Sequence, residues 1–270
     1  QEGWNYHLEQ KEGPLKYNGV VYNEMKGAFS SPDEVLEREI MNHLFPDTTY
    51  GCESGGDPKN IPDLTYENFL NFHRTYYHPS NSYIYLYGNM DMEEKLAFLD
   101  EHYLSHFDYL DVDSVIQEQK AFGACQDVTL EYPVAENEGE EDNTYLSYNM
   151  VVGNAADSQM AMAFEVLDYA LLSAPGAPLK QALLDVKAGK DVYGSYDDGI
   201  LQPYFTVIAK GSNPDRKEEF VSVIRQVLGD IVKNGIDRKA VEAGINYFEF
   251  RYREADFSSY PKGLMYSLDI

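Results

Sequence analysis

At 270 residues the chain is long enough for about two domains, each with a core of its own, which excludes mini-protein and disulfide-scaffold classes. Hydrophobic residues make up 43% of it and aromatics 14%, which excludes wholesale disorder. The 46 acidic against 21 basic residues give a formal net charge of −25, which opposes any surface built to neutralise phosphates, so nucleic acid is not an expected partner.

Cys52 and Cys125 are far apart, and no Asn-x-Ser/Thr sequon occurs. These features predict a reducing, cytoplasmic compartment. No apolar run approaches the ~18 residues that span a bilayer, so no membrane is expected. The opening Gln1-Glu2-Gly3-Trp4 has neither an initiator Met nor a signal pattern, as expected of an internal piece of a longer protein.

From Tyr17 to Phe29 the apolar residues Val20, Val21, Met25 and Ala28 recur at helical intervals, and Ser31-Pro32 opens a second helix that runs to Leu44. After the loop Ser54-Gly55-Gly56-Asp57-Pro58, a third helix begins at a cap supplied by Asp63 or Thr65 and ends near His78-Pro79. Ser82 to Tyr87 reads as a strand, and Met92 to Phe107 as a last helix.

The polar, acidic stretch 109–119 reads as a linker between a first unit, 1–108, and a second, 120–270. In the second unit Val128 to Tyr132 and Thr144 to Val152 read as strands flanking Glu136 to Asp142, an acidic run that reads as a solvated loop. Asp157 caps a helix to about Leu172, and a shorter helix follows from Pro178 to Val186. Asp191 to Tyr196 and Leu201 to Lys210 make a hairpin turning at Asp197-Asp198-Gly199. Two long helices, from Asp215 to Lys233 and from Asp237 to Arg253, complete the pattern. Antiparallel hairpins followed by helices predict an α+β fold.

Most searches for chemistry fail. Lys187-Ala188-Gly189-Lys190-Asp191 has Leu184 where a phosphate loop needs its first glycine and Asp191 where it needs Ser or Thr. There is no Gly-x-Ser-x-Gly turn, zinc knuckle or paired cysteine motif. His102 and His106 stand four apart on a predicted helix, a metal-sharing spacing, but Tyr103 sits where a zinc hydrolase places its Glu base; an amphipathic polar stripe is the simpler reading.

Glu24 is more unusual. Val20, Val21, Gly27 and Ala28 are its neighbours three and four positions away, so helical spacing puts the carboxylate on the apolar stripe. A buried carboxylate needs a cation, a proton or a metal. By itself the sequence favours a structural ion pair and leaves a metal ligand open.

Several linked motifs resemble the presequence-protease branch of the pitrilysin/insulinase metallopeptidases: Gln1-Glu2-Gly3-Trp4, Gly19-Val20-Val21-Tyr22-Asn23-Glu24-Met25-Lys26-Gly27, Ser54-Gly55-Gly56-Asp57-Pro58 with Ile61-Pro62, and Tyr77-His78-Pro79-Ser80-Asn81. In the second unit Gly189-Lys190-Asp191-Val192, Tyr196-Asp197-Asp198-Gly199 and Gln202-Pro203 look like the same branch. The resemblance implies two tandem pitrilysin-like modules, antiparallel-rich sheets with helices packed on them, the first truncated at its N-terminus.

It implies a zinc endopeptidase that closes around unfolded oligopeptides, together with the remaining modules of the same polypeptide; in a eukaryote the compartment would be the mitochondrial matrix. By position, Glu24 matches the family's downstream zinc ligand, so the resemblance favours a metal ligand at Glu24. The other catalytic parts are not here: none of the six histidines begins or ends an HxxEH motif, so no catalytic residue is expected within this chain. A non-catalytic scaffold or peptide-binding module of the same fold is the competing reading. The Ser54 to Pro58 loop and Asp197-Asp198-Gly199 read as turns rather than as substrate contacts.

Overall fold

A computed structural model describes residues 2–134, 139–254, 257 and 259–268 of the chain. Its mixed helix and sheet architecture is organised around one antiparallel three-stranded sheet. The strands are β3 (Thr144–Val151), β4 (Asp191–Asp197) and β5 (Tyr204–Ser212), in the order β3-β5-β4. A separate hairpin pairs β1 (Asn5–His7) with β2 (Lys16–Asn18) in antiparallel register, Tyr6 opposite Tyr17.

Alternation along the strands sends side chains to two different cores. On one face Leu146, Val192, Phe205, Val207 and Ala209 pack against two helices of the second half of the chain: α6 (Pro178–Asp185) through Leu179 and Leu183, and α7 (Lys217–Asn234) through Phe220 and Ile224. On the other face Tyr204 and Ile208 meet Ile40 and Phe45, at the end of α2 (Pro32–Leu44), with Leu36, Met41 and Leu44 packed around them. Residues 204 to 209 of β5 are therefore all buried, the continuous run expected of a strand covered on both faces. A helix from the first half of the chain thus lies on the sheet of the second.

Local signals set several boundaries. Pro32 opens α2 at its first turn. The Thr65 hydroxyl accepts from the Asn68 amide at 3.1 Å to cap α3 (Tyr66–Tyr76). The Asp91 carboxylate does the same for α4 (Met92–His102), and Asp157 for α5 (Ser158–Asp168), from Met160 N at 3.0 Å. A π-helical turn, Tyr169–Ser173, continues α5 and carries Leu171 and Leu172 into the first core. The α8 helix (Arg238–Glu254) lies against α5 where Gly244 lets the Val166 and Tyr169 side chains approach. A short α9 (Lys262–Leu268) follows.

Four expectations are corrected. The helix read from Tyr17 is split: 16–18 pair as β2, and α1 spans Val20–Ala28. Ser82 to Tyr87 and Val128 to Tyr132 form no strand, because no described strand pairs with them to complete their hydrogen bonds. The helix expected to reach Phe107 ends at His102. Tyr103 leaves helical geometry (φ −139°, ψ −67°), and a 3₁₀ turn covers Leu104–His106.

The acidic run from Glu136 lies partly outside the described residues. Its end is anchored: Asp142 pairs with Lys190 at 3.3 Å and accepts from Asn213 Nδ2 at 2.7 Å. Residues 109–119 form no regular element, yet the stretch ends in a buried residue, Gln119.

Candidate functional site

The surroundings of Glu24 are built from the first hairpin. The residues before β1 run past the start of α1, and their carbonyls satisfy amides that a helix N-terminus leaves free. Glu2 O accepts from Val21 N at 2.9 Å and Gly3 O from Tyr22 N at 3.1 Å. Only glycine fits at position 19: its φ is +153°, and a Cβ there would stand 2.6 Å from Trp4 Cα. Around this junction the rings of Trp4, Tyr6 and Tyr17 cluster with centroids 5.3 to 5.5 Å apart. The far end of α1 is closed by Ser30, whose hydroxyl donates to Gly27 O at 2.6 Å.

Glu24 itself is exposed, and no residue of α1 is buried. The burial expected from the helical spacing is thus not realised, because the stripe that contains Glu24 is open: Val20 is 59% exposed, and a Cβ on Gly27 would meet nothing within 4 Å. The ion-pair partner that a buried carboxylate would need is accordingly absent among the described residues. Next to it Met25 lays its thioether over Gly55, which brings the Ser54 to Pro58 loop against α1. That loop satisfies itself as a turn: Asp57 Oδ1 accepts from Lys59 N at 2.8 Å, and Gly56 N donates to Glu53 O at 3.1 Å.

Among the described residues no three His, Cys, Asp or Glu side chains stand together where they could hold a metal ion. His102 does not share a helix face with His106, because α4 ends between them, and its ring lies 4.6 Å from that of Phe98. A catalytic zinc takes three protein ligands, and the described residues bring no such set together around Glu24.

The polar residues that the structure does gather lie between the two halves of the chain. Asp33, on α2, accepts from Lys210 Nζ at 2.8 Å, Tyr193 OH at 3.1 Å and Tyr145 OH at 3.2 Å, one donor from each strand of the sheet. Lys210 in first place, with the two phenols, holds the Asp33 carboxyl below the usual carboxylate range. Burial, followed by the nearby Asp33, pushes the Tyr193 phenol up to about 12. Gln119 makes a second tie: its Oε1 accepts from Asp47 N at 2.9 Å, its Nε2 donates to Asp47 Oδ2 at 2.8 Å, and its backbone N donates to Gln202 Oε1. Tyr50 OH accepts from Leu201 N at 3.1 Å close by. Asp33, Lys210 and Gln119 carry no local sequence signal of these contacts, since their partners lie far along the chain.

Asp197 behaves as hairpin chemistry requires, accepting from Gly199 N at 3.0 Å and from Tyr204 OH at 3.2 Å. On the α2 side of it Glu37 is pushed up by burial and by Glu34, Asp197 and Glu53, a concentration of acidic charge.

Known proteins give this arrangement its class. The family profile described as "Peptidase M16 inactive domain" matches residues 63–248, and so runs through both halves of the chain. The chain belongs to the peptidase M16 family, the pitrilysin and insulinase group that its motifs resemble.

Among curated proteins it is 51% identical to Protein HypA of Clostridium perfringens, over all of this chain and 28% of that protein. It is 38% identical to presequence protease 1, chloroplastic/mitochondrial, of Arabidopsis thaliana, over 98% of this chain and 25% of that protein. The chain therefore spans about a quarter of the length of these relatives. A solved M16 inactive domain from Pseudomonas fluorescens has the same fold, with a TM-score of 0.64 at 18% identity, covering 92% of this chain and 58% of that one. No helix among the described residues is long and apolar enough to cross a membrane.

Proposed function

We propose that the chain is part of a zinc-dependent metalloendopeptidase that degrades unfolded oligopeptides in a closed chamber. It contributes one zinc ligand, Glu24, and no other catalytic residue. In this reading residues 1–108 are the C-terminal part of a first pitrilysin-like module, 109–119 join the modules, and 120–270 are the second. The partners are oligopeptide substrates and the remaining modules of the same polypeptide, in the cytoplasm or, in a eukaryote, the mitochondrial matrix. The observation that carries the reading is the 38% identity to a presequence protease over 98% of the chain. The open face of α1 around an exposed Glu24 supports it, since a carboxylate that completes a metal site with residues from elsewhere has to be accessible to them.

The test is elemental zinc analysis and peptide cleavage by the full-length polypeptide, with and without Glu24→Gln. The reading expects stoichiometric zinc and cleavage in the parent and loss of both in the variant. Full zinc and turnover in the variant would remove Glu24 from the site. A parent that neither holds zinc nor cleaves peptides would favour a second reading, a non-catalytic scaffold or peptide-binding module. That alternative draws support from the matched profile, whose description is an inactive domain.

A further inference from the structure

The side of α7 that faces away from the first core carries charges that the chain does not pair. Phe220 and Ile224 of this helix are buried in that core. Glu218, Val221, Ser222 and Arg225 recur at intervals of three and four and so share one stripe of the helix. Together with Lys217, and with Asp127 from the segment before β3, they line an open cleft of about 460 Å³, within the range of about 300 to 1,000 Å³ that takes small ligands. The Lys217 ammonium is paired with the Asp127 carboxylate, which ties that segment to the start of α7. One carboxylate and one guanidinium of the lining remain, and among the described residues neither Glu218 nor Arg225 has an ion-pair partner. Seven residues of helix separate them by about 10 Å along its axis, and they do not pair with each other. Arg225 is steadied instead by the ring of Tyr148, whose centroid lies 6.0 Å from its Cζ.

We propose that this cleft binds a short peptide with both ends free, its ammonium on Glu218 and its carboxylate on Arg225. The inference goes beyond the function proposed above and does not depend on it. A single opening with an unpaired carboxylate towards one end and an unpaired guanidinium towards the other complements a zwitterion, whereas a plain anion would meet two carboxylates in the lining, Asp127 and Glu218. Length selects within that class: an extended chain covers about 3.3 to 3.6 Å per residue, so a tripeptide spans about 10 Å and a free amino acid about a third of that. Between the two charges Ser222 supplies a hydroxyl for the peptide backbone and Val221 an apolar contact, which suits small apolar side chains.

Calorimetric titration of the metal-free, full-length polypeptide with tri-alanine tests the proposal, and neither zinc nor cleavage enters the readout. The free tripeptide should bind, while N-acetyl tri-alanine, tri-alanine amide and free alanine should each bind about tenfold or more weakly, the change that loss of one charged hydrogen-bond partner produces. Arg225→Gln and Glu218→Gln should each weaken the free tripeptide by a similar factor. Arg225→Gln should leave the affinity for the amide unchanged, and Glu218→Gln that for the acetylated peptide, so the blocked peptides also report that each variant is folded. Equal binding of the free tripeptide to the parent and both variants places it elsewhere on the protein and overturns the proposal. No binding to the parent, or blocked peptides or free alanine binding as tightly as the tripeptide, overturns it too. Inorganic phosphate that displaces the tripeptide at equal concentration overturns it in favour of a simple anion site.

Discussion

Asp33 and Lys210 are 177 positions apart and meet at 2.8 Å, the carboxylate on a helix of the first half and the ammonium on the central strand of the second. Tyr145 and Tyr193 on the flanking strands complete the arrangement. A single α2 side chain is therefore tied to all three strands, and below it Ile40 and Phe45 bury against Tyr204 and Ile208. The apolar contact supplies most of the adhesion, and the polar one fixes the register of helix on sheet.

Replacing Asp33 with Asn removes the charge and weakens all three contacts. Asp33 and Lys210 both keep close to half of their side-chain exposure, so the loss should be modest, about 1 to 2 kcal/mol. Because the folded-state pKa is lowered, this contribution is present above the unfolded value near 4 and is lost as pH falls through the lower folded value. The urea midpoints of parent and D33N should therefore differ at pH 7 and converge as the pH drops below about 4. A constant difference down to pH 2 would show that the charge is not the source.

Gln119 is the buried counterpart. Its side chain satisfies Asp47 from both amide atoms, and its backbone holds Gln202. Gln119→Ala removes both side-chain bonds to Asp47, and because Asp47 is exposed and water can replace the lost acceptor, it should cost about 1 to 2 kcal/mol. A surface substitution in the same stretch, such as Asp111→Ala, should stay within about 0.5 kcal/mol. Thermal unfolding of the two variants checks the contrast, and equal midpoints would return residues 109–119 to the status of a free linker.

These two ties could not be read from the sequence, because a polar residue whose partners lie 72 or 177 positions away leaves no local pattern. What was legible was local: the caps at Thr65 and Asp157 and the prolines at 32 and 178 marked helices where they form. The run of β5 was also legible, since burial on both faces writes itself as consecutive apolar residues. Ser82 to Tyr87 has strand composition without strand pairing among the described residues, because composition reports a preference while pairing needs a neighbouring strand that no local pattern names. Glu24 was noticed for a reason that does not hold, the expected burial, while its place in Asn23-Glu24-Met25-Lys26-Gly27 points to the same residue independently.

Exposure of Glu24 separates its two sequence-based roles by stability alone. A buried ion-pair partner, when neutralised, strands its cation at about 3 to 5 kcal/mol. An exposed carboxylate with no ion pair among the described residues strands nothing, so Glu24→Gln should change the stability of the metal-free protein by less than about 0.5 kcal/mol. An unfolding free energy lowered by more than about 2 kcal/mol in denaturant titration would restore the structural role.

Gly194 allows the π-helical turn to lie close on the sheet. A Cβ at this position would stand 2.6 Å from Leu172 Cδ1 and would also run into the Thr206 carbonyl on the neighbouring strand. Backbone cannot give way as a side-chain tip can, so Gly194→Ala should destabilise by about 1 to 3 kcal/mol through overpacking. Adding Leu172→Ala relieves one of the two clashes. The double variant should then lose less than the sum of the singles, and strict additivity in a double-mutant cycle would contradict the contact.

Asp168, the last residue of α5 before the π-helical turn, supplies a dependence on pH of opposite sign to that of Asp33. Among the described residues its Oδ1 is buried without a hydrogen-bond partner, and its Oδ2 accepts a long contact from Ser173 Oγ at 3.4 Å. Burial raises its carboxyl to about 6. Since the unfolded chain gives up this proton near pH 4 and the folded one only near 6, the folded state binds more protons in between, and stability falls as pH rises from about 4 to 6. The penalty is complete above pH 6; with residual solvent around the group it is on the order of 1 to 2 kcal/mol. Asp168→Asn removes the ionisation and keeps the shape. It should be more stable than the parent at pH 7 by about that amount and lose the advantage by pH 4. Urea titrations at the two pH values decide it: a variant less stable than the parent at pH 7 would mean that the Asp168 carboxylate has a cationic or donor partner in the folded protein.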